Sequence, residues 1–211
     1  MSLPMENPWK TISLGDYEAH MQLPSVRQLR TLNEIMQAQL SCPARSVMIL
    51  GVAAGNGLEH IDKDKIRKVY GVDVNADYLA EANRRFPELD GVLECICADL
   101  RTEADTLPQA ELVVADLLVE YIGCAAFQNV IRAVRPKLVS CAIQVNEGET
   151  WVSDSPYLHS FDALESVHTE IDAQALADCM REIGYGQILA QTYPLPNGKA
   201  LQRLDFTAGA E

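Results

Sequence analysis

The stretch Val47-Met48-Ile49-Leu50-Gly51-Val52-Ala53-Ala54-Gly55-Asn56-Gly57-Leu58-Glu59-His60-Ile61 constrains this chain more than any other. Four apolar residues run into Gly51, small residues dominate as far as Gly57, and hydrophobicity then resumes. A buried strand that ends in a glycine turn and feeds a helix has this pattern. Glycine lets backbone approach a ligand closely, and the first N–H groups of a helix attract an anion. The stretch is expected to cradle a ligand; the alternative is a tight strand-to-helix turn with no ligand.

The rest of the chain repeats the strand signal. Residues 4 to 22 read as irregular, with Trp9, Tyr17, His20 and Met21 in a short polar segment. Val26, Leu29, Leu32, Met36 and Leu40 recur at helical spacing, with Ser25 near the start of that helix. A second strand, Lys68 to Val72, ends on Asp73, and Asn75 is placed to cap a helix that Pro87 stops. Val92 to Cys97 and Glu111 to Ala115 are a third and a fourth strand, ending at Asp99 and Asp116. A helix through Phe127, Val130, Ile131 and Val134 breaks at Pro136, before a fifth strand from Leu138 to Val145. Crossover-length segments between these strands predict a parallel sheet. After a helix from about Asp172 to Ile183, the runs Gln187 to Pro194 and Ala200 to Phe206 flank Pro196-Asn197-Gly198, a strong hairpin signal.

Asp73, Asp99 and Asp116 thus stand at the carboxyl ends of successive strands, the edge where parallel sheets bind ligands. Asp73, about twenty positions past the turn, suits the two hydroxyls of a ribose, and Asp99 suits an exocyclic amine of a purine. A nucleoside site is the expectation. The net charge of −13 argues against binding nucleic acid through its phosphates. Six cysteines without a C-x-x-C pair, and no leader peptide, suggest a reducing cytoplasm. No apolar run approaches membrane-spanning length. The 211 residues suit one domain: 1–44 an N-terminal lid and helix, 45–208 an α/β core.

Over about residues 40 to 208 the chain resembles the class I S-adenosylmethionine-dependent methyltransferases. Gly51-Val52-Ala53-Ala54-Gly55 matches the family's G-x-G-x-G turn, Asp73 and Asp99 its acidic residues after the second and third strands, and Asp116 its fourth-strand position. The resemblance implies a Rossmann-like α/β fold, with a mostly parallel seven-stranded sheet closed by an antiparallel C-terminal hairpin and helices on both faces. It also implies S-adenosylmethionine as cofactor, held by Gly51, Val52, Ala53, Gly55, Asn56, Asp73, Val74, Asp99, Leu100 and Asp116, with Val74 against the adenine and the Leu100 N–H toward the base. Two positions depart from the pattern. The middle glycine is Ala53, which the turn absorbs if its φ is negative. The acidic residue two places before the first glycine is Ile49, so Glu59 or an N-terminal residue is expected to substitute.

Residues for the methyl acceptor come from elements that cover the strand ends. Tyr17 and His20, three apart, share a face if they lie on one helical turn, and His20 is a candidate base. Tyr121 falls just past the fourth strand beside Glu120, and Tyr121 is taken as the third catalytic candidate. The aperiodic stretch Asn146 to Glu170 carries Trp151, Tyr157, His159, Phe161 and His168 as aromatic surface for a small acceptor. His60 reads as structural. Asp116-Leu117-Leu118-Val119 stands where base-amino methylation needs Asn-Pro-Pro-aromatic, no Pro-Cys pair suits cytosine chemistry, and Asp116 with Asn146 or Glu147 lacks metal-ligand spacing. The expected function is methyl transfer to a small molecule, without metal. A nicotinamide-dependent oxidoreductase and a nucleoside-binding protein without catalysis are the alternatives.

Overall fold

A computed structural model describes residues 6–146, 152–153 and 155–209. In chain order the elements are α1 (Leu14–Gln22), α2 (Gln28–Leu40), β1 (Ser46–Leu50), β2 (Lys68–Asp73), α3 (Ala76–Arg85), β3 (Leu93–Cys97), β4 (Leu112–Asp116), α4 (Val119–Val134), β5 (Leu138–Val145), α5 (Ala173–Arg181), β6 (Tyr185–Pro194) and β7 (Ala200–Ala208).

The apolar runs form strands buried on both faces. In β1, Met48 and Leu50 join a core with Phe127 and Val130 of α4 and Met180 of α5. Val47 and Ile49 join another with Met36 and Leu40 of α2 and Leu79 of α3. The period of two along the strand thus sends alternate residues to opposite helical layers. The seven strands run in the order β3-β2-β1-β4-β5-β7-β6. All neighbours from β3 to β5 are parallel, and β7 is antiparallel to both β5 and β6. The order reverses between β1 and β4, which opens a crevice at their carboxyl ends.

Three local expectations give way to tertiary contacts. Residues 14–22 are helical, capped by Ser13, because the helix buries His20 and Met21 instead of presenting a regular apolar stripe. The following helix begins at Gln28 after Arg27 in a left-handed conformation, so Ser25 caps nothing. The glycine turn feeds only a three-residue 3₁₀ turn, Leu58–His60. The polar run Asp62-Lys63-Asp64-Lys65 offers no apolar stripe to continue it. An anion site at a helix N-terminus is therefore absent at this position. Asn75 does cap α3, accepting the N–H groups of Asp77 and Tyr78. Among the described residues, no helix is long and apolar enough to cross a membrane.

Candidate active site

The turn after β1 is held by its neighbour. Gly51 and Val52 donate their N–H groups to the Val72 carbonyl at 2.8 and 3.1 Å, and Gly51 has φ +69°. Ala53 also has a positive φ, +46°, contrary to the negative value expected. Its N–H donates to Asp73 Oδ2 at 2.9 Å, and the Asn75 N–H donates to Asp73 Oδ1 at 2.9 Å. Burial raises the pKa of Asp73, against the pull of these backbone donors. Each carboxylate oxygen retains acceptor capacity for one more donor.

Asp99 is bound by Arg101 through Nε at 3.0 Å and Nη2 at 2.8 Å, and by Asn7 Nδ2 at 3.2 Å. Burial works to raise its pKa, but the Arg101 and Asn7 hydrogen bonds hold it below the usual range. Asp116 is buried at the end of β4, with Gln39 Nε2 donating to Oδ1 at 2.8 Å and no partner on Oδ2. Desolvation outweighs the Gln39 hydrogen bond and pushes Asp116 up to about 7.

Two cavities meet above these strand ends. The first is lined by Gly51, Ala53, Asp73, Val74, Asp99, Leu100 and Asp116, with about 660 Å³ of empty space counting its mouth. The second, of about 610 Å³, is lined by His20, Gln28, Glu120, Gln144, Phe161 and His168 among others. Trp9, Tyr17, Leu117 and Tyr121 line both and form the wall between them. A narrower cleft continues from the first cavity past Glu18, Ile49, Val52 and Asn56.

The roof is made by segments far apart in sequence. Ile12 packs with Phe161 and Leu164 of the 3₁₀ run Leu158–Ser166. Across this seam His20 Nδ1 lies 2.8 Å from Ser155 Oγ, and Ser160 Oγ donates to Asp16 Oδ2 at 2.9 Å. Trp9 stands nearly perpendicular to both Tyr17 (82°) and Tyr121 (87°), with centroids 5.9 and 5.0 Å away. Asn75 Nδ2 fixes this segment by donating to the Trp9 carbonyl at 3.0 Å.

No protein-family model matches the chain, and no curated protein matches it in sequence. Solved structures do match. Magnesium protoporphyrin IX methyltransferase (ChlM) of Synechocystis PCC 6803, with S-adenosylmethionine bound, has a TM-score of 0.69 at 8% identity, covering 99% of this chain and 100% of that one. The N-methyltransferase NodS of Bradyrhizobium japonicum WM9, with S-adenosylhomocysteine, has a TM-score of 0.69 at 13% identity, covering 97% and 100%. The [4+2]-cyclase SpnF has a TM-score of 0.66 at 11% identity, covering 86% and 81%. The fold is that of the class I methyltransferases.

On this methyltransferase fold, the three catalytic candidates gather at the cavities: Tyr17 and His20 from α1, and Tyr121 from α4. Burial, then Lys199, lowers the pKa of His20 and keeps it neutral near pH 7. Burial first, then neighbouring carboxylates, raises both tyrosines and keeps them protonated. Of the cofactor candidates, seven line the first cavity, and Val52 and Asn56 line the cleft. Gly55 lines neither; a Cβ there would meet Leu58 Cδ1 and Phe86 Cε2 at 2.7 Å, so its role is packing.

Ile49 is buried among apolar neighbours yet borders the cleft. Glu59 does not take its place: it accepts from the Gly57 N–H at 3.0 Å and from Asn33 Nδ2 at 2.6 Å. Glu18, from the N-terminal segment, borders the cleft and pairs with Arg85. His60 is structural, its Nε2 lying 2.9 Å from Asn33 Oδ1. In the long stretch, Phe161 and His168 line the second cavity, Tyr157 packs in the roof, and the His159 side chain is exposed. Trp151 and Glu147 lie outside the described residues.

Sequence reasoning missed Asn7, Tyr78, Gln28 and Gln144, which line the cavities from aperiodic or apparently surface positions. Trp9 did carry a signal, as a large aromatic in a polar segment. Glu120 also carried one, a carboxylate two residues from apolar Leu118 and Ile122.

Proposed function

We propose that the chain is an S-adenosylmethionine-dependent methyltransferase acting on a small molecule. The observation that carries this reading is the pair of cavities sharing one aromatic wall, the first at the carboxyl edge of the sheet. One chamber suits a nucleoside donor and the other its acceptor. The bound ligands of the Synechocystis and Bradyrhizobium proteins support the choice of donor.

S-adenosylmethionine supplies a methyl group activated on a sulfonium. In this chain Asp73 would take the ribose hydroxyls with its remaining lone pairs, and Val74 and Leu100 would enclose the adenine. Gly51 and Ala53 let the turn come close, while Asp116 Oδ2 and Glu18 would receive the ammonium of the amino-acid tail in place of an acid at Ile49. Asp99 already accepts from the Arg101 N–H, Nε and Nη2 and from Asn7 Nδ2, so it would reach the base by exchanging one of these donors. Tyr17 and Tyr121 exclude water and orient the acceptor, and His20 receives its proton. In the tautomer whose Nδ1–H donates to Ser155 Oγ, the His20 lone pair is on Nε2.

We assign one domain to 1–211, with 1–44 as lid and helix and 45–208 as α/β core. Six free cysteines support a reducing, cytoplasmic setting. Nucleic acid and membrane are not proposed as partners.

Thermal shift with S-adenosylmethionine, S-adenosylhomocysteine and NAD tests the reading. A ligand at about a hundred times its Kd adds roughly 2.7 kcal/mol. Stabilisation by the two adenosyl ligands and not by NAD is expected; stabilisation by NAD alone would establish the oxidoreductase alternative. A second reading, nucleoside binding without methyl transfer, draws on Ile49 and on SpnF, a cyclase of this fold. Adenosyl binding with no turnover on any acceptor would favour it.

A further inference from the structure

The mechanism so far leaves one buried carboxylate in the second cavity without a task. Glu120, in the first turn of α4, is 4% exposed. Its Oε1 accepts the Gln144 N–H at 2.9 Å, and its Oε2 is buried with no hydrogen-bond partner. An unmatched buried carboxylate is costly for the fold, and a ligand that gives Oε2 a donor relieves that cost.

The rest of the cavity narrows what that donor is. No lysine or arginine is among the described residues lining it. Burial lowers the pKa of His20 and His168, so neither supplies a positive charge near neutral pH. Among the described lining residues Glu120 is the one carboxylate; burial pushes it up to about 7 and an approaching cation favours its charged form, while Lys199 acts on His20 and His168 from outside this lining. The wall beside it is Trp9 with Tyr17 and Tyr121, whose rings stand nearly perpendicular to Trp9 and pack on it edge to face. Aromatic rings around a carboxylate-lined cavity favour a cation. Met21, Val152, Phe161 and Leu164 supply an apolar floor for its carrier.

We propose that the acceptor is a primary or secondary amine on a small, flat, apolar carrier, bound as its ammonium by Glu120 Oε2 beside the Trp9–Tyr17–Tyr121 wall. The assignment rests on the methyl-transfer reading for its outcome but not for its recognition chemistry. The ammonium gives one proton to His20 Nε2, which frees the nitrogen lone pair. That pair forms the new N–C bond as the S–C bond of the methylsulfonium donor breaks, with the sulfur keeping its electron pair. The product is an N-methylammonium, and His20 returns its proton to solvent. The nitrogen is cationic before the proton leaves and after the carbon arrives, so Glu120 and the aromatic wall stabilise it at both stages.

The test is calorimetric titration of the full chain, at a pH of about 8 where a simple amine is protonated. The probes are 2-phenylethylamine, 2-phenylethanol and phenylacetate, each with and without S-adenosylhomocysteine. The amine should bind at least about tenfold more tightly than either probe of like shape. Glu120→Gln should lose at least about that factor for the amine and leave the alcohol unchanged. Equal binding of the alcohol or the acid, absence of amine binding, or a folded Glu120→Gln protein with wild-type amine affinity would each overturn the assignment. The three-probe comparison on the wild-type chain decides the question without the variant. Failure of S-adenosylhomocysteine to bind would strike the methyl-transfer reading alone, since the probes without it still test the cavity.

Discussion

The Ala53 N–H donates to Asp73 Oδ2 at 2.9 Å, joining the tip of the turn after β1 to the carboxylate that ends β2. Ala53 is held at φ +46° there, so one hydrogen bond both shapes the cavity-lining turn and orients the carboxylate. Replacing Asp73 by alanine leaves the N–H groups of Ala53 and Asn75 without their acceptor. A stability loss of about 1–3 kcal/mol is expected. Affinity for S-adenosylmethionine should fall about tenfold or more, equivalent to ~1.4 kcal/mol. Unchanged calorimetric affinity in a folded Asp73→Ala protein would remove Asp73 from the binding site.

Ala53→Gly should raise stability. A left-handed conformation costs a residue with a Cβ about 1–2 kcal/mol, and the added freedom of glycine in the unfolded chain returns about 0.4–1 kcal/mol of that. The net gain is about 0.5–1 kcal/mol, which for a chain of this size raises Tm by roughly 1–4 °C. A lower Tm in a thermal melt would show that the turn carries no strain at this position.

Glu120 should make stability fall as pH rises. Burial pushes its folded-state pKa up to about 7, whereas the unfolded chain releases the proton near the ordinary value of about 4.3. Between these values the folded state holds the extra proton, so stability declines across that window and stays lower above it. Asp116, also raised and within electrostatic reach of Glu120 and Arg203, adds to the decline; His20, His168, Tyr17, Tyr121 and Cys141 are further titratable groups nearby, and Lys199 acts on both histidines. Relative to wild type, Glu120→Gln should be near neutral at a pH of about 5 and more stable, on the order of 2 kcal/mol, at about 8. Urea melts at the two pH values measure this; a difference that does not change with pH would contradict it.

His20→Ala should separate chemistry from binding. The residue lines the second cavity and not the first, so S-adenosylhomocysteine affinity should hold while turnover falls by about 10²–10⁴. Undiminished turnover on an accepted amine would retire His20 as the base. A parallel loss of affinity would instead mark the His20–Ser155 contact as part of the support for the roof.

The sequence by itself determined the sheet and the aspartates along its carboxyl edge. Apolar runs of strand length, the glycine turn after Leu50, the aspartates at 73, 99 and 116, and Asn197-Gly198 between β6 and β7 are local signals. They act through backbone conformation and the burial of neighbouring residues, and they were legible without knowing what packs where. Only the tertiary structure decided the positive φ of Ala53, since that depends on the Asp73 carboxylate twenty residues away. It also decided the two-chambered form of the site. Asn7 reaches Asp99 across 92 residues, His20 meets Ser155 across 135, and Glu120 is buried under a roof built from both segments. Such contacts leave no periodicity in the chain, because each is set by where distant segments happen to pack over the strand ends.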